Sequence, residues 1–309
     1  MPLHSGHIAL IQFAASQCDE LIVSMTYKTD DPINGQLRFG WIEEYFKNDP
    51  KIKPAISLDD FDREELPLNK RIKLWAGFVK KSFPPIDVLF SSEEYGEPFA
   101  KELGVNHISF DRKRKLTPVS ATDIRQKPFQ YWRFIPEIVR PFFVKKICFY
   151  GPESTGKSVM AKRFAEVYHT EFVPEVAREL ITSNDFTVND IIRIGHAQTE
   201  RVKEKLKTAN KFLFCDTDLI TTQIYSMKYL GTVPEILFEL EKEIQYDKYF
   251  LFDIDVAWVA DGLRDLDNQR DEMMKIFEEE LLKRKIQFIR VKGNWKERKA
   301  IIVKEIECF

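Results

Sequence analysis

The sequence predicts an α/β protein of two domains, each built on a parallel sheet. Three observations carry this. Short β-rich runs alternate with helix-length stretches along the chain, the order in which helical crossovers lay parallel strands side by side. At 309 residues the chain is long enough for two cores of ordinary size. The alternation is broken once, by Pro136 and Pro141 in FQYWRFIPEIVRPFF, immediately before a new apolar run, KKICFY. The boundary is therefore expected between Arg140 and Lys145, giving domains 1–143 and 144–309.

In chain order, a helix is expected from His7 to Cys18, then the β-rich run ELIVSM and a loop, TYKTDDPING, rich in turn formers. A helix near Leu37 to Phe46 is followed by a Pro- and Asp-rich connection, a helix through NKRIKLWAGFVKKSF and the strand IDVLFSS. Beyond the basic turn DRKRK, read first as a solvated loop and otherwise as added attraction for a phosphate, Ser120 is placed to cap a short helix containing Arg125. The second half supplies KKICFY, a glycine loop, a helix from Lys157, the strand EFVPE and a long helical stretch. It continues with the strand KFLFCDTD, more helix, the strand KYFLFDID, a polar stretch before another helix, and a last strand, IQFIRV.

Composition narrows the function. Lys plus Arg number 47 against 49 Asp plus Glu, so no global positive field recruits nucleic acid or an anionic membrane, and phosphate binding must be local. No apolar run reaches the length of a membrane span and no signal peptide opens the chain. The four cysteines are scattered without metal-ligand spacing, as in a reduced, cytoplasmic protein. A homo-oligomer is compatible with the sequence, which does not decide the matter.

GPESTGKS, Gly151 to Ser158, matches the phosphate-binding loop G-x-x-x-x-G-K-[ST] between a strand and a helix. Gly151, Glu153, Ser154, Thr155 and Gly156 form the loop, Lys157 charges the β/γ-phosphates of ATP, and the Ser158 hydroxyl is placed to ligate Mg²⁺. FLFCDTD sets Asp216 and Asp218 at the C-terminal end of a strand, Asp216 as metal partner and Asp218 more as a helix cap. Glu175 and Arg178 follow another strand; Glu175 and Asp216 are alternative bases for an acceptor hydroxyl. Arg264 and Arg270 lie in a polar stretch that suits a lid over the phosphates, and equally a solvated helix surface.

At the front, His4 and His7 flank Gly6 at a helix start, and Ser120, Thr122 and Arg125 offer two hydroxyls and a guanidinium at another. Two anion sites in one domain suggest one triphosphate held at both ends. Trp75 and Trp132 suit stacking on a base or pyridinium ring, with core packing as the default.

Taken in order, PLHSGHIALIQFAASQCDELIVSM, LRFGWIEEYF, SSEEYGEPFA, PVSATDIR, GPESTGKS, FCDTDLITTQ and WVADGLRDL resemble the bifunctional NadR-type proteins over nearly the whole chain. The resemblance implies a Rossmann-like nucleotidyltransferase domain that joins ATP and nicotinamide mononucleotide into NAD and pyrophosphate. It also implies a P-loop kinase domain that phosphorylates nicotinamide riboside with ATP, with Trp258 a candidate for its substrate pocket and equally for its core. Relatives commonly place a strand and Gly-x-Phe before the segment matching Pro2, so the first strand is expected to be missing and Met1 to be internal to a longer reading frame. PEVARE stands where an aromatic segment is expected, which leaves a kinase of another small hydroxyl substrate open. A nucleotide-sensing module with a degenerate front domain is the other alternative.

Overall fold

In the computed structural model, residues 2–183, 185–259 and 266–309 are described, and the chain divides into two compact units, 1–140 and 141–309. Arg264 lies outside the described residues.

The first unit runs α1 (Ser5–Ala15), β1 (Leu21–Tyr27), α2 (Gly35–Phe46), β2 (Ile52–Leu58), α3 (Leu68–Ser82), β3 (Val88–Ser91), α4 (Gly96–Leu103), β4 (Asn106–Ser109) and α5 (Ala121–Gln126). β1 pairs parallel with β2 along its whole length, Leu21 opposite Ile52 and Tyr27 opposite Leu58, and β3 pairs parallel with β4. These are two separate two-stranded sheets, and α1 packs on both β1 and β3. The strands are accordingly only half-buried along most of their length. Ala100, Ile124, Ile135 and Val139 are the most fully enclosed of the described core residues of this unit.

Three expectations need correction here. The connection after α2 contains β2, a strand that Pro54 disguised; proline is tolerated because β2 has a partner on one side only. α4 was not anticipated, since eight residues with Pro98 in the first turn carry little periodicity. The first helix begins at Ser5 rather than His7: His4 is extended and its imidazole accepts the Gly6 N–H, so it caps the helix.

The second unit follows α6 (Arg140–Phe143), with β5 (Lys145–Tyr150), α7 (Lys157–Val167), β6 (Glu171–Val173), α8 (Ala177–Leu180) and α9 (Val188–Leu206). Then come β7 (Phe212–Asp216), α10 (Leu219–Leu230), α11 (Ile236–Glu243), β8 (Lys248–Phe252), α12 (Arg270–Lys283), β9 (Phe288–Val291) and α13 (Trp295–Ile306). The five strands lie in the order β6-β7-β5-β8-β9, every pair parallel. Helical crossovers bury both faces of the central strands, which is why KFLFCD and KYFLF read as continuous apolar runs. Phe149 sits at the middle of this core, against Phe164, Phe214, Phe250 and Phe252.

Sheet order fixes where chemistry can occur. β5 lies between β7 and β8, and its register sets Phe149 opposite Asp216, so the loop after β5 emerges beside the end of β7. That crevice at the carboxyl ends of parallel strands is the usual ligand position of an open α/β sheet.

Candidate functional site

The glycine loop is held by its own backbone. Gly151 has φ +135°, and a Cβ there would lie 2.8 Å from the Phe252 carbonyl oxygen; Gly156 has φ +86°. A side chain at either position is excluded by conformation. The Thr155 hydroxyl donates to Pro152 O at 2.9 Å and the Lys157 ammonium donates to the same oxygen at 2.6 Å. Lys157 is thereby folded over the loop's concavity, where burial lowers its pKa against the opposing pull of Asp216 and Glu175. Ser154 donates to and accepts from the backbone of Val259.

Asp216, at the end of β7, has its Oδ1 buried with no hydrogen-bond partner and lies close enough to the Ser158 side chain to be influenced by it. Burial first, then the Glu175 charge, push its carboxyl up to about 6, against Lys157, Ser158 and Arg178. Asp218 is a helix cap: it accepts from Thr221 N at 3.0 Å and from the Tyr249 hydroxyl at 2.9 Å. Burial likewise raises it to about 6.

Two cavities meet at this point. One contains the glycine loop with Glu153, Ser154, Thr155, Lys157 and Ser158; the other is lined by Ala177, Ile181, Phe186, Ile191, Ile194 and Tyr229. Glu153, Glu175, Arg178, Thr221 and Tyr225 line both. Glu175 accepts from Arg178 Nε at 2.8 Å. A small molecule in the apolar cavity therefore faces the phosphate loop across a carboxylate and a guanidinium. The sequence reading missed the α10 contribution, although Thr221, Tyr225 and Tyr229 at i, i+4 and i+8 share one helix face and were legible as a stripe.

Two further expected residues, Arg270 and Trp258, lie near one another. Arg270 donates to Val256 O at 3.0 Å and its guanidinium lies 5.6 Å from the Trp258 ring centroid. Neither lines the two cavities. The two side chains meet in a cation–π contact, while Arg270 Nε and Nη2 are buried without a hydrogen-bond partner among the described residues.

In the first unit, His4, His7, Ser120 and Thr122 line one cavity of about 690 Å³, a size suited to small-molecule ligands. The two imidazoles stack with centroids 3.8 Å apart. His4 accepts the Gly6 N–H on Nδ1, so its proton resides on Nε2. Burial foremost, with the neighbouring His7 and Arg114, lowers His4 to about 3; burial foremost, with Arg114, lowers His7 to about 4. Both rings are neutral hydrogen-bond donors at pH 7.

Ser120 also caps α5 in a reciprocal pair with Asp123, as expected of a capping serine. Arg125 does not line the cavity; it donates to the Thr122 hydroxyl at 3.2 Å. Trp75 is likewise outside the lining, packed edge-on against Tyr95 and Phe99, and Trp132 is buried core.

Two further arginines line this cavity, Arg38 with no expectation attached to it and Arg114 from the run whose lesser reading was attraction for the phosphates. Arg38, on α2, is 5% exposed, pairs with Asp31 at 2.6 Å and keeps a buried, unbonded Nε. Arg114 comes from the turn read first as solvated; it has φ +48°, pairs with Glu93 at 3.1 Å and also lines the cavity. Its left-handed backbone was invisible in DRKRK.

The chain matches the family model described as AAA domain over residues 146–298. It is 33% identical over 321 aligned positions to the trifunctional NAD biosynthesis/regulator protein NadR of Escherichia coli, covering 94% of this chain and 76% of that protein. It is 32% identical to the Salmonella typhimurium protein of the same name, with the same coverage. Solved structures of a NadR protein, one in complex with NR and one with NAD and AMP-PNP, superpose with TM-score 0.78 at 20% identity, covering 97% of this chain and 91% of theirs.

Proposed function

The chain belongs to the NadR family, and from that premise we propose that its two units catalyse successive steps of NAD synthesis. The second unit phosphorylates nicotinamide riboside with ATP. The first joins the resulting mononucleotide to the adenylyl group of ATP, releasing pyrophosphate. The first unit is on this reading a Rossmann-like nucleotidyltransferase, supported by its parallel pairing and its helix-start imidazoles. The observation that carries the proposal is that each unit has its own cavity for a phosphate chain, neutral imidazoles in one and a folded lysine in the other.

For adenylyl transfer, an oxygen of the mononucleotide phosphate attacks the α-phosphorus of ATP and the bond to the β-phosphate breaks. His4 and His7 donate hydrogen bonds to the α-phosphate oxygens as charge gathers there, and the approach of that charge raises their pKa values. Ser120 and Thr122 bind the outer phosphates, with Arg125 steadying Thr122. Arg38 and Arg114 supply fixed positive charge to the same cavity.

For phosphoryl transfer, the nucleoside occupies the apolar cavity with its hydroxyl beside Glu175, which accepts the proton as the oxygen attacks the γ-phosphorus; the bond from that phosphorus to the β–γ bridging oxygen breaks and ADP leaves. Glu175 is preferred to Asp216 as base because it lines both cavities and Asp216 lines neither. Arg178 orients Glu175, and Lys157 neutralises the transferring phosphates. Among the described residues no cluster of three His, Cys, Asp or Glu forms a metal cage. The buried, unbonded Asp216 Oδ1 beside the Ser158 hydroxyl fits Mg²⁺ held mainly by nucleotide phosphates and water. Mg²⁺ there supplies charge neutralisation of the β- and γ-phosphates.

Incubation with Mg-ATP and either nicotinamide riboside or nicotinamide mononucleotide, followed by product separation, tests the assignment. Lys157→Ala is expected to abolish mononucleotide formation and leave NAD formation intact. Equal loss of both activities in that variant contradicts two separate sites.

A further inference from the structure

We infer that Trp295 is the platform on which the base of the donor nucleotide stacks in the second unit. The inference rests on the reading of the glycine loop as the donor site and adds where the nucleoside end lies. Trp295 opens α13 and is 47% exposed, an unusual placement for a large aromatic ring with no contact to another aromatic side chain among the described residues. Its six-membered ring meets Gly156: a Cβ there would lie 2.6 Å from Cη2 and 3.3 Å from Cζ3. The edge of an exposed indole thus rests on the residue that precedes Lys157 and Ser158.

Direction follows from the reaction. In-line transfer requires the γ-phosphate to face the acceptor, so the nucleoside must leave the loop on the side away from the apolar cavity. Glu175, Arg178 and Tyr225 occupy the acceptor side. Val159, 62% exposed, lines the loop cavity; Trp295 lines neither cavity but meets Gly156, which lines the loop cavity.

The ring is also held in register with the loop. Arg298, fully buried, donates from Nη1 to Thr155 O at 2.7 Å and from Nε to Gly293 O at 2.8 Å. The Gly293 N–H donates to Asp255, and Asn294 and Glu297 cap α13 reciprocally. One guanidinium therefore clamps the phosphate loop to the turn that presents the tryptophan. Stacking on a pre-positioned ring is tolerant of base identity, because every base has a π face.

Calorimetric titration of the full chain with Mg²⁺ and either ATP or inorganic tripolyphosphate tests this, taking the component abolished by Lys157→Ala as binding to this unit. Trp295→Ala should weaken ATP by about tenfold or more, leave tripolyphosphate unchanged, and be largely rescued by Trp295→Phe. Equal weakening of both ligands makes Trp295 a mere prop of the loop and overturns the inference, as does no change in either. Absence of any Lys157-dependent binding in the wild type removes the donor site itself, and with it both the inference and the reading beneath it.

Discussion

Asp216 shows how one side chain couples proton and ligand chemistry. Burial and Glu175 hold its carboxyl near 6 rather than the ordinary 3.8, so at pH 6 about half of the molecules carry the proton. Mg²⁺ and phosphate binding require the ionised form, and the proton must leave. Calorimetry of Mg-ATP binding at pH 6 in buffers of different ionisation enthalpy should therefore detect release of a fraction of a proton, shrinking toward zero at pH 8. Asp216→Asn should remove the release; an undiminished signal in that variant assigns the proton elsewhere. Asp216 was legible in the sequence because it ends an apolar strand. Arg38 was not, and Arg114 only as the lesser reading of its run: a helical arginine and a basic turn look solvated until tertiary packing buries one and a left-handed backbone turns the other toward the cavity.

At the level of elements, what could be read was whatever depends on local pattern. β5, β7 and β8 announced themselves as apolar runs, and the Ser120 cap as a local hydrogen-bonding motif. β2 was hidden because Pro54 is compatible with a strand only once it is known to be an edge. α13 was overlooked despite Asn294 and Glu297, a cap signature that was readable. Two glycines separate local from tertiary demands. Gly77 lies inside α3 with open space where a Cβ would go, whereas at Gly96 a Cβ would sit 1.8 Å from Ser91 Oγ and 2.5 Å from His107 Nε2. Gly77→Ala should stabilise the first unit by about 0.5–1 kcal/mol through helix propensity. Gly96→Ala should cost about 1–3 kcal/mol through overpacking and disturb Ser91 on the cavity wall. Urea unfolding of the two variants checks both signs, and a stable Gly96→Ala protein shows that α4 can shift without consequence.

Across the whole molecule the two units answer acid in opposite ways. His4 and His7 have folded pKa values of about 3 and 4 against 6.5 for an exposed histidine. Their contribution is full above pH 6.5 and is lost as pH falls toward those values, because the unfolded chain takes up the protons first. Asp216 and Asp218 run the other way: with folded values of about 6 against 3.8, they favour the native state below 3.8 and withdraw that support as pH rises through 6. Carboxylates that ion pairs hold low, such as Glu171 and Glu280, titrate below 4.5 and stay ionised above pH 5. Between pH 7.5 and 5 the first unit should therefore lose roughly 1–2 kcal/mol per buried histidine, while the ligand-free second unit gains. After equilibration in urea at each pH, a pulse of hydrogen exchange at one fixed labelling pH reads each unit through its own peptides. Acidification should lower the midpoint of peptides from α1 and raise that of peptides from β7, and His7→Gln should flatten the first trend. A first unit whose midpoint is the same at both pH values means that its imidazoles are solvated rather than buried beside Arg114, and the neutral-donor role assigned to them in adenylyl transfer fails with it.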